Sequence, residues 1–433
     1  MLNQVSQLAA QGSSNRAGLR RHPCQHMGQT VGMVERNAPH DESGITEQPR
    51  PGVPESARWR RFGVTNRDAL RAVRELWSTL GDPRTVVASV EVSANVSTNR
   101  VFMLRLNDDT HLFAKVSNYG SSFLFREEHD RVLRLRKGLA GTRFENFLAA
   151  PLTKSSTSSP TRATRATATR NGLEQVHTYY DGSVWGVIYE EVERRESLPK
   201  ILNDADIECL AREVAAFHKA CAEATVRDAI PRTSTSISSD MVHLLDLVAD
   251  RTASKTLRLP SEALDIVRRH GQRFLHALDD LGYADMARIP VLIDWNLGNF
   301  SVDRAADGSF QLFSRWDYDW FRTDTLLLDF YFLSRVSSQT GDRTTFSYGV
   351  HTLSEPRFTR FIAAYHEVSP LSEADIEMMV ETYRFFILHY VLSVGDHFFR
   401  ADLWDTFRHD AITSGLPSID RFDRSPLLAA IRS

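Results

Sequence analysis

Asp294 and Asn299 stand five residues apart in LIDWNLGNFSV, across a turn that contains Gly298, and Asp317 follows the next apolar run in FSRWDYDW. Transfer of a phosphoryl group needs a carboxylate that takes or orients the acceptor hydroxyl, and oxygen ligands that hold Mg2+ on nucleotide phosphates. An Asp-x-x-x-x-Asn turn, a strand and a second Asp supply those groups in one compact unit. Asp and Asn also cap ordinary turns. What points to chemistry is the ordered spacing of all three. A fourth residue, Lys115 in HLFAKVS, is a lone lysine inside an apolar strand. It suits a phosphate contact, or an edge strand guarded against aggregation.

The elements that must position these residues change character along the chain. TNRDALRAVRELWSTLG places Leu70, Val73, Leu76 and Trp77 on one helical stripe, with Thr65 or Asn66 to cap its start and Gly81 its end. The runs TVVASVEVSANVS, RVFMLRLND and HLFAKVSN are short, β-branched or aromatic, and broken by polar turns, which predicts a meander of antiparallel strands. FLFREEHDRVLRLRKGLAG reads as a helix, and FLAAPLT and SVWGVIYEEV as two further strands. From about Glu193 the pattern is helical, in DADIECLAREVAAFHKACAEA, SSDMVHLLDLVADR, SEALDIVRRHGQRFLHALDDLG, PRFTRFIAAYHEV and EADIEMMVETYRFFILHYVLSVGDHFF. The β-rich insert that carries Asp294 to Asp317 interrupts it. The expectation is an α+β chain of two lobes, a small antiparallel β lobe over residues 57–192 and a larger helical lobe over 193–433. That is the architecture of a two-lobed kinase.

Composition bounds the rest. The chain has 433 residues, and 52 Lys and Arg against 55 Asp and Glu give a net charge of −3, which excludes a polycationic protein and predicts no nucleic-acid partner. The three cysteines, Cys24, Cys209 and Cys221, have no CxxC spacing and cannot form a disulfide scaffold. No run approaches the ~18 apolar residues of a membrane span, and the N-terminus lacks the charged start and apolar run of a secretory signal. A soluble cytoplasmic protein is expected. Residues 1–56, rich in Gln, Ser, Gly, Pro and Arg, read as disordered. The alternating His22, Cys24 and His26 within them lack the fourth ligand and packed frame of a structural zinc site, so no metal is assigned there. A second low-complexity stretch with a Thr-Arg-Ala repeat, at about 153–172, reads as a mobile insertion in the sheet.

The segment from Asp294 to Asp329 resembles the signature of the aminoglycoside phosphotransferase and choline kinase superfamily, relatives of the protein kinases. In that family a catalytic-loop Asp and an Asn five residues later precede a strand that ends in a metal-binding Asp. Asp294, Asn299 and Asp317 match in order, Asp329 stands where a further Asp opens an apolar helix, and Asp319 where many members carry a second acid. The resemblance implies a protein-kinase-like fold and an ATP- and Mg2+-dependent transfer to a hydroxyl of a small molecule. Asp294 would be the catalytic base, with Asn299 and Asp317 as metal ligands. It also implies that Ser97 and Asn99 lie in the hairpin over the phosphates and that Lys115 contacts them. Glu128, on the buried stripe of the following helix, would pair with Lys115. The hinge at Glu190, Glu191 and Val192 would meet adenine, and His218 would stand at the position of the Leu-His that is common on the family's long helix. Asp329 would brace the catalytic loop through its backbone.

Two positions depart from the pattern. Leu292 stands two residues before Asp294, where the family usually has a His that braces the catalytic loop. No glycine lies between Glu91 and Arg100 in the phosphate-covering turn. Both are features of the alternative, a catalytically silent pseudokinase serving as a nucleotide-binding or scaffolding module. Acceptors among similar proteins include aminoglycosides, choline-like compounds, sugars and amino alcohols, and the sequence selects none of them. Oligomeric state is equally open. No Ala-Pro-Glu segment follows Asp317, which speaks against a protein kinase.

Overall fold

Thr65 accepts a hydrogen bond from the Asp68 amide and Gly81 turns left-handed at φ 80°, so helix α1 (Asn66–Leu80) begins and ends on the caps that its sequence offers. The computed structural model describes residues 64–93, 99–118, 120–154, 175–342, 349–397, 399 and 401–432. The N-terminal segment, Ser97 and nearly all of the Thr-Arg-Ala insertion lie outside the described residues.

Leu70, Val73 and Leu76 of α1 pack on one face of a five-stranded antiparallel sheet, β1 (Val86–Glu91), β2 (Arg100–Leu106), β3 (His111–Ser117), β4 (Thr178–Tyr180) and β5 (Trp185–Glu190), in the order β1-β2-β3-β5-β4. Side chains alternate across a strand. Leu112, Ala114 and Val116 of β3 therefore turn toward α1, and Lys115 is left on the opposite face. That face is covered in part by α2 (Ser122–Gly138), which Ser121 caps and whose Phe125, Val132 and Leu135 join the larger core.

The five-stranded sheet and its crossing helix agree with the sequence, but the fifth strand is not the FLAAPLT run. Thr178–Tyr180 pairs with the first half of β5, and only Ala150 to Leu152 bond to its second half. The FLAAPLT segment makes isolated bridges, one of them from Leu148 to Arg315 in the other lobe. The run divides between the lobes: the Ala149 amide donates to the Arg315 carbonyl, whereas Ala150 and Leu152 bond to β5.

The helical lobe is built around α3 (Asp204–Asp228), α4 (Ile237–Ala249), α5 (Ser261–Asp280), α6 (Phe330–Ser337), α7 (Pro356–Val368) and α8 (Glu373–Phe386), with α3 lying along α7. Two β-ribbons are embedded in it, β6 (Ile289–Val291) with β9 (Arg322–Asp324), and β7 (Phe300–Arg304) with β8 (Phe310–Arg315). The helix expected to run on through Phe399 stops at Phe386 and passes into a π-helical turn, Ile387–Ser393. The indole of Trp404 donates to the Val391 carbonyl there at 2.7 Å, which stabilises the widened turn. The turn sets Tyr390 flat against Trp320, with ring centroids 4.5 Å apart. Among the described residues no helix is long and apolar enough to cross a membrane.

Candidate active site

Lys115 leaves β3 into the cleft between the lobes with only 4% of its surface exposed. Its ammonium is 2.9 Å from Asp317 Oδ1, across 202 residues of sequence, and it also meets Asp319. Asn99, directly before β2, donates to the other oxygen of Asp319. The start of β2 and the loop that carries Asp317 and Asp319 are thus tied together. Asp317 itself adopts φ 70°, a conformation sparsely used by residues other than glycine.

The loop that carries Asp294 lies between β6 and β7. Asp294 Oδ1 accepts from the Asn296 amide at 3.2 Å, and Oδ2 from Asn299 Nδ2 at 2.9 Å. Asn299 is 3% exposed and its own carbonyl bonds the Trp316 amide next to Asp317, so the Asp–Asn turn and the second Asp form one unit, as their spacing suggests. Ile293, fully buried, has φ 58°. For a β-branched residue this is strained, and such strain persists only where the surroundings over-determine it. Here they do. Asp329 Oδ1 accepts from the Ile293 amide at 2.6 Å, and His218 Nε2 lies 2.8 Å from Asp329 Oδ2, with Tyr365 2.7 Å from His218 Nδ1. All three partners are buried. Asp329 therefore holds the loop by its backbone, the role the resemblance gave it.

A pocket opens beside the Lys115–Asp317 pair. Val92, Val101, Phe113, Ala149, Tyr189 and Val192 provide its apolar walls, and Lys115, Asp317 and Asn99 its polar end. Glu190 and Val192 line it, whereas the Glu191 side chain points outward, 3.6 Å from His111. Trp316 lines it as well, under the guanidinium of Arg194 at 4.4 Å. Ser97 falls outside the described residues.

Glu128 does not form the ion pair expected of it. Lys115 is taken by Asp317 and Asp319, and among the described residues no salt bridge joins it to Glu128. Three acids converge on one ammonium, so one of them goes without. Burial and the nearby Asp319 push the Glu128 carboxyl well above its ordinary range, against the pull of Lys115. Burial disfavours its charged form. Its neighbour Glu127 faces the other lobe instead, accepting from the Ser234 amide at 2.9 Å and from Arg131.

The electrostatics sort the remaining acids. Burial opposes ionisation of Asp317, but Lys115 outweighs it and holds that carboxyl below its ordinary value. Asp319 shares the same ammonium, and burial with the Asp317 charge pushes it up to about 6. Asp294 is raised to about 6 by burial and then by Asp317, with Arg315 acting in the opposite direction. A carboxylate ionised just below neutrality is matched to accepting a proton at pH 7. Lys115 is raised, because Asp317 and Asp319 together exceed the cost of its burial.

Sequence reasoning missed three participants. Arg315 is wholly buried beneath the site although it ends an ordinary-looking strand. His129, rather than Glu128, is the most buried polar residue on its helix turn, and it bonds the hydroxyl of Tyr189. Asp342 accepts from the Leu297 amide at 2.8 Å and so supports the Asp294 loop from outside. None of the three has a local spacing signal. Trp316 and Trp320 are only half-buried, whereas Tyr318 and Phe321 between and beside them are buried.

No family model matches the sequence, and no curated protein matches it. Solved structures do match. The amicoumacin kinase hAmiN in complex with AMP-PNP, Ca2+ and Ami aligns at a TM-score of 0.51 and 14% identity, over 78% of this chain and 91% of the other. The GDP complex of an aminoglycoside 2'-phosphotransferase mutant aligns at 0.48 and 12% identity, over 80% and 99%. A macrolide 2'-phosphotransferase type I aligns at 0.46 and 14% identity, over 81% and 99%. The chain shares the two-lobed, kinase-like fold of the amicoumacin kinase structure.

Proposed function

We propose that this chain is a phosphotransferase that moves the γ-phosphate of ATP, with Mg2+, to a hydroxyl group of a small molecule. The observation that carries this reading is the meeting of Lys115 and Asp317 at 2.9 Å in an interlobe pocket, with the Asp294 carboxylate close enough to feel the Asp317 charge. Fold alone does not set function, but these groups have the types and protonation states that phosphoryl transfer uses.

The donor set fits the groups it would hold. The pocket's apolar walls, with Glu190 and Val192 at the rim, suit a purine. Asp317 and Asp319 already share one cation, the Lys115 ammonium. Two carboxylates and the Asn299 amide oxygen make a hard, oxygen-only set, of the kind that takes Mg2+ together with phosphate oxygens and water. Held by these residues, Mg2+ would supply neutralisation of phosphate charge. Lys115 would exchange a carboxylate for the phosphates. Asn299 fixes the rotamer of Asp294 by its 2.9 Å hydrogen bond, and Asp294 accepts the proton of the acceptor hydroxyl as that oxygen attacks the γ-phosphorus and the bond from it to the β–γ bridging oxygen breaks, releasing ADP. Positioning and electrostatics supply the catalysis, with no covalent enzyme intermediate.

The acceptor class follows from the reading only as far as a small molecule with an alcohol, such as an aminoglycoside, choline-like compound, sugar or amino alcohol. The test begins with nucleotide. ATP with Mg2+ at a hundredfold over Kd is expected to add about 2.7 kcal/mol of apparent stability, read as a rise in Tm. Asp317→Asn should lose most of the Mg2+-dependent part of that shift. No shift at millimolar ATP and Mg2+ would overturn the proposal. A shift without turnover across a broad acceptor screen would leave a nucleotide-binding pseudokinase in its place.

A further inference from the structure

We propose that Arg315 is a positioning residue which clamps the Asp294 loop to the Asp317 loop, supplying from β8 the brace that Leu292 cannot give. The proposal rests on the phosphotransferase reading above and goes beyond it in naming what holds its two halves in register. Arg315 has no exposed surface. One nitrogen, Nη2, donates to the backbone carbonyl of Asp294 at 2.8 Å and to that of Asp317 at 3.2 Å. A single planar group thus bridges the two loops through their backbones, and leaves both carboxylates free for other work.

The clamp is itself anchored. The Arg315 amide donates to the Phe147 carbonyl at 2.6 Å, and its carbonyl accepts from the Ala149 amide at 2.9 Å and from the Tyr318 hydroxyl at 3.0 Å. The guanidinium lies 5.5 Å from the ring of Trp295, the residue after Asp294. Leu292, at 0% exposure, has no polar atom in its side chain with which to reach the Asp317 loop.

Stability alone does not account for an arginine at this place. Its Nε and Nη1 are buried without a hydrogen-bond partner among the described residues. Taking a guanidinium out of water is costly unless its hydrogen bonds are completed, and an apolar side chain in the same space would avoid that cost. What an apolar side chain cannot do is join two carbonyls on separate loops. A loop displaced by about 1 Å loses on the order of a hundredfold in rate, so the clamp acts where small displacements matter most.

The test compares Arg315→Met, Arg315→Lys and the wild type, each checked for folding by circular dichroism. AMP-PNP binding is titrated by calorimetry at fixed Mg2+ concentrations, and without Mg2+. Arg315→Met should need about tenfold more Mg2+ for half-maximal binding, with Mg2+-free AMP-PNP binding unchanged. Arg315→Lys, which keeps a donor for one of the carbonyls, should lie closer to the wild type. A purely structural role would lower Tm but leave the Mg2+ requirement of the folded protein where it was, and that result overturns the proposal. Should Arg315→Met fail to fold, Arg315→Gln against Arg315→Lys carries the same comparison, and equal Mg2+ requirements in the two overturn it. A wild type that binds no AMP-PNP with Mg2+ sinks the phosphotransferase reading itself, and this outcome is distinct from the others.

Discussion

Asp294→Asn is expected to lower turnover by about a hundredfold or more while leaving nucleotide binding largely intact. The amide keeps the size of the carboxylate and can still accept from Asn299, but it cannot take a proton. The same change should alter stability in the opposite direction at high pH. Burial, then the Asp317 charge, raises Asp294 to about 6 in the folded chain, above its ordinary 3.8. A carboxyl raised in this way favours folding while it is protonated, and that contribution is lost as pH rises through about 6. Asparagine carries no such dependence. The difference in unfolding free energy between variant and wild type should therefore grow from pH 5 to pH 8. It should reach about 1–2 kcal/mol in favour of the variant, below the ~3 kcal/mol that the full shift represents. The discount reflects the Asn296 amide, which would face an NH2 or an oxygen depending on how the new side chain turns. Urea unfolding at the two pH values checks it. Equal differences at both would show that Asp294 is not held in the raised state, and undiminished turnover would remove it as the base.

Asp329→Ala should cost about 3–5 kcal/mol, the range for breaking a buried, fully engaged polar network. Asp329 has no exposed surface and accepts from Ile293 N at 2.6 Å and from His218 at 2.8 Å. Alanine would leave both donors buried without a partner. It would also release the only side-chain tether on Ile293 among the described residues, whose φ of 58° is costly for a β-branched side chain. The pattern in which the Tyr365 hydroxyl donates to His218 Nδ1 and His218 Nε2–H donates to Asp329 satisfies all three groups at once. A double-mutant cycle with His218→Ala should accordingly show a coupling of about 0.5–3 kcal/mol. Additive effects would mean that the two act separately. Turnover of any folded Asp329→Ala protein should fall as well, because the backbone on which Asp294 sits is no longer fixed.

The sequence by itself determined the local features of this protein. The caps Thr65 and Gly81 bound α1 as written, period-two alternation turned Lys115 away from Ala114 and Val116, and the five-residue gap between Asp294 and Asn299 closed into a 2.9 Å hydrogen bond. Each of these depends on residues a few positions apart, whose relative placement follows from backbone geometry alone. Tertiary structure decided the rest. Lys115 chose Asp317 and Asp319 over Glu128, which lies only thirteen positions away in sequence, because two carboxylates from one loop enter the cleft from the other lobe. The FLAAPLT run divided between Ala149 and Ala150 because its partners on either side belong to different lobes. Ile293 took a left-handed conformation that no Ile advertises, held by an acid thirty-six residues on. Arg315, one polar end on an ordinary hairpin strand, became a buried bridge. Charges at short range act strongly in a low-dielectric interior and weakly in water, so the partner of a charge and its protonation are fixed only once distant segments have met and excluded solvent.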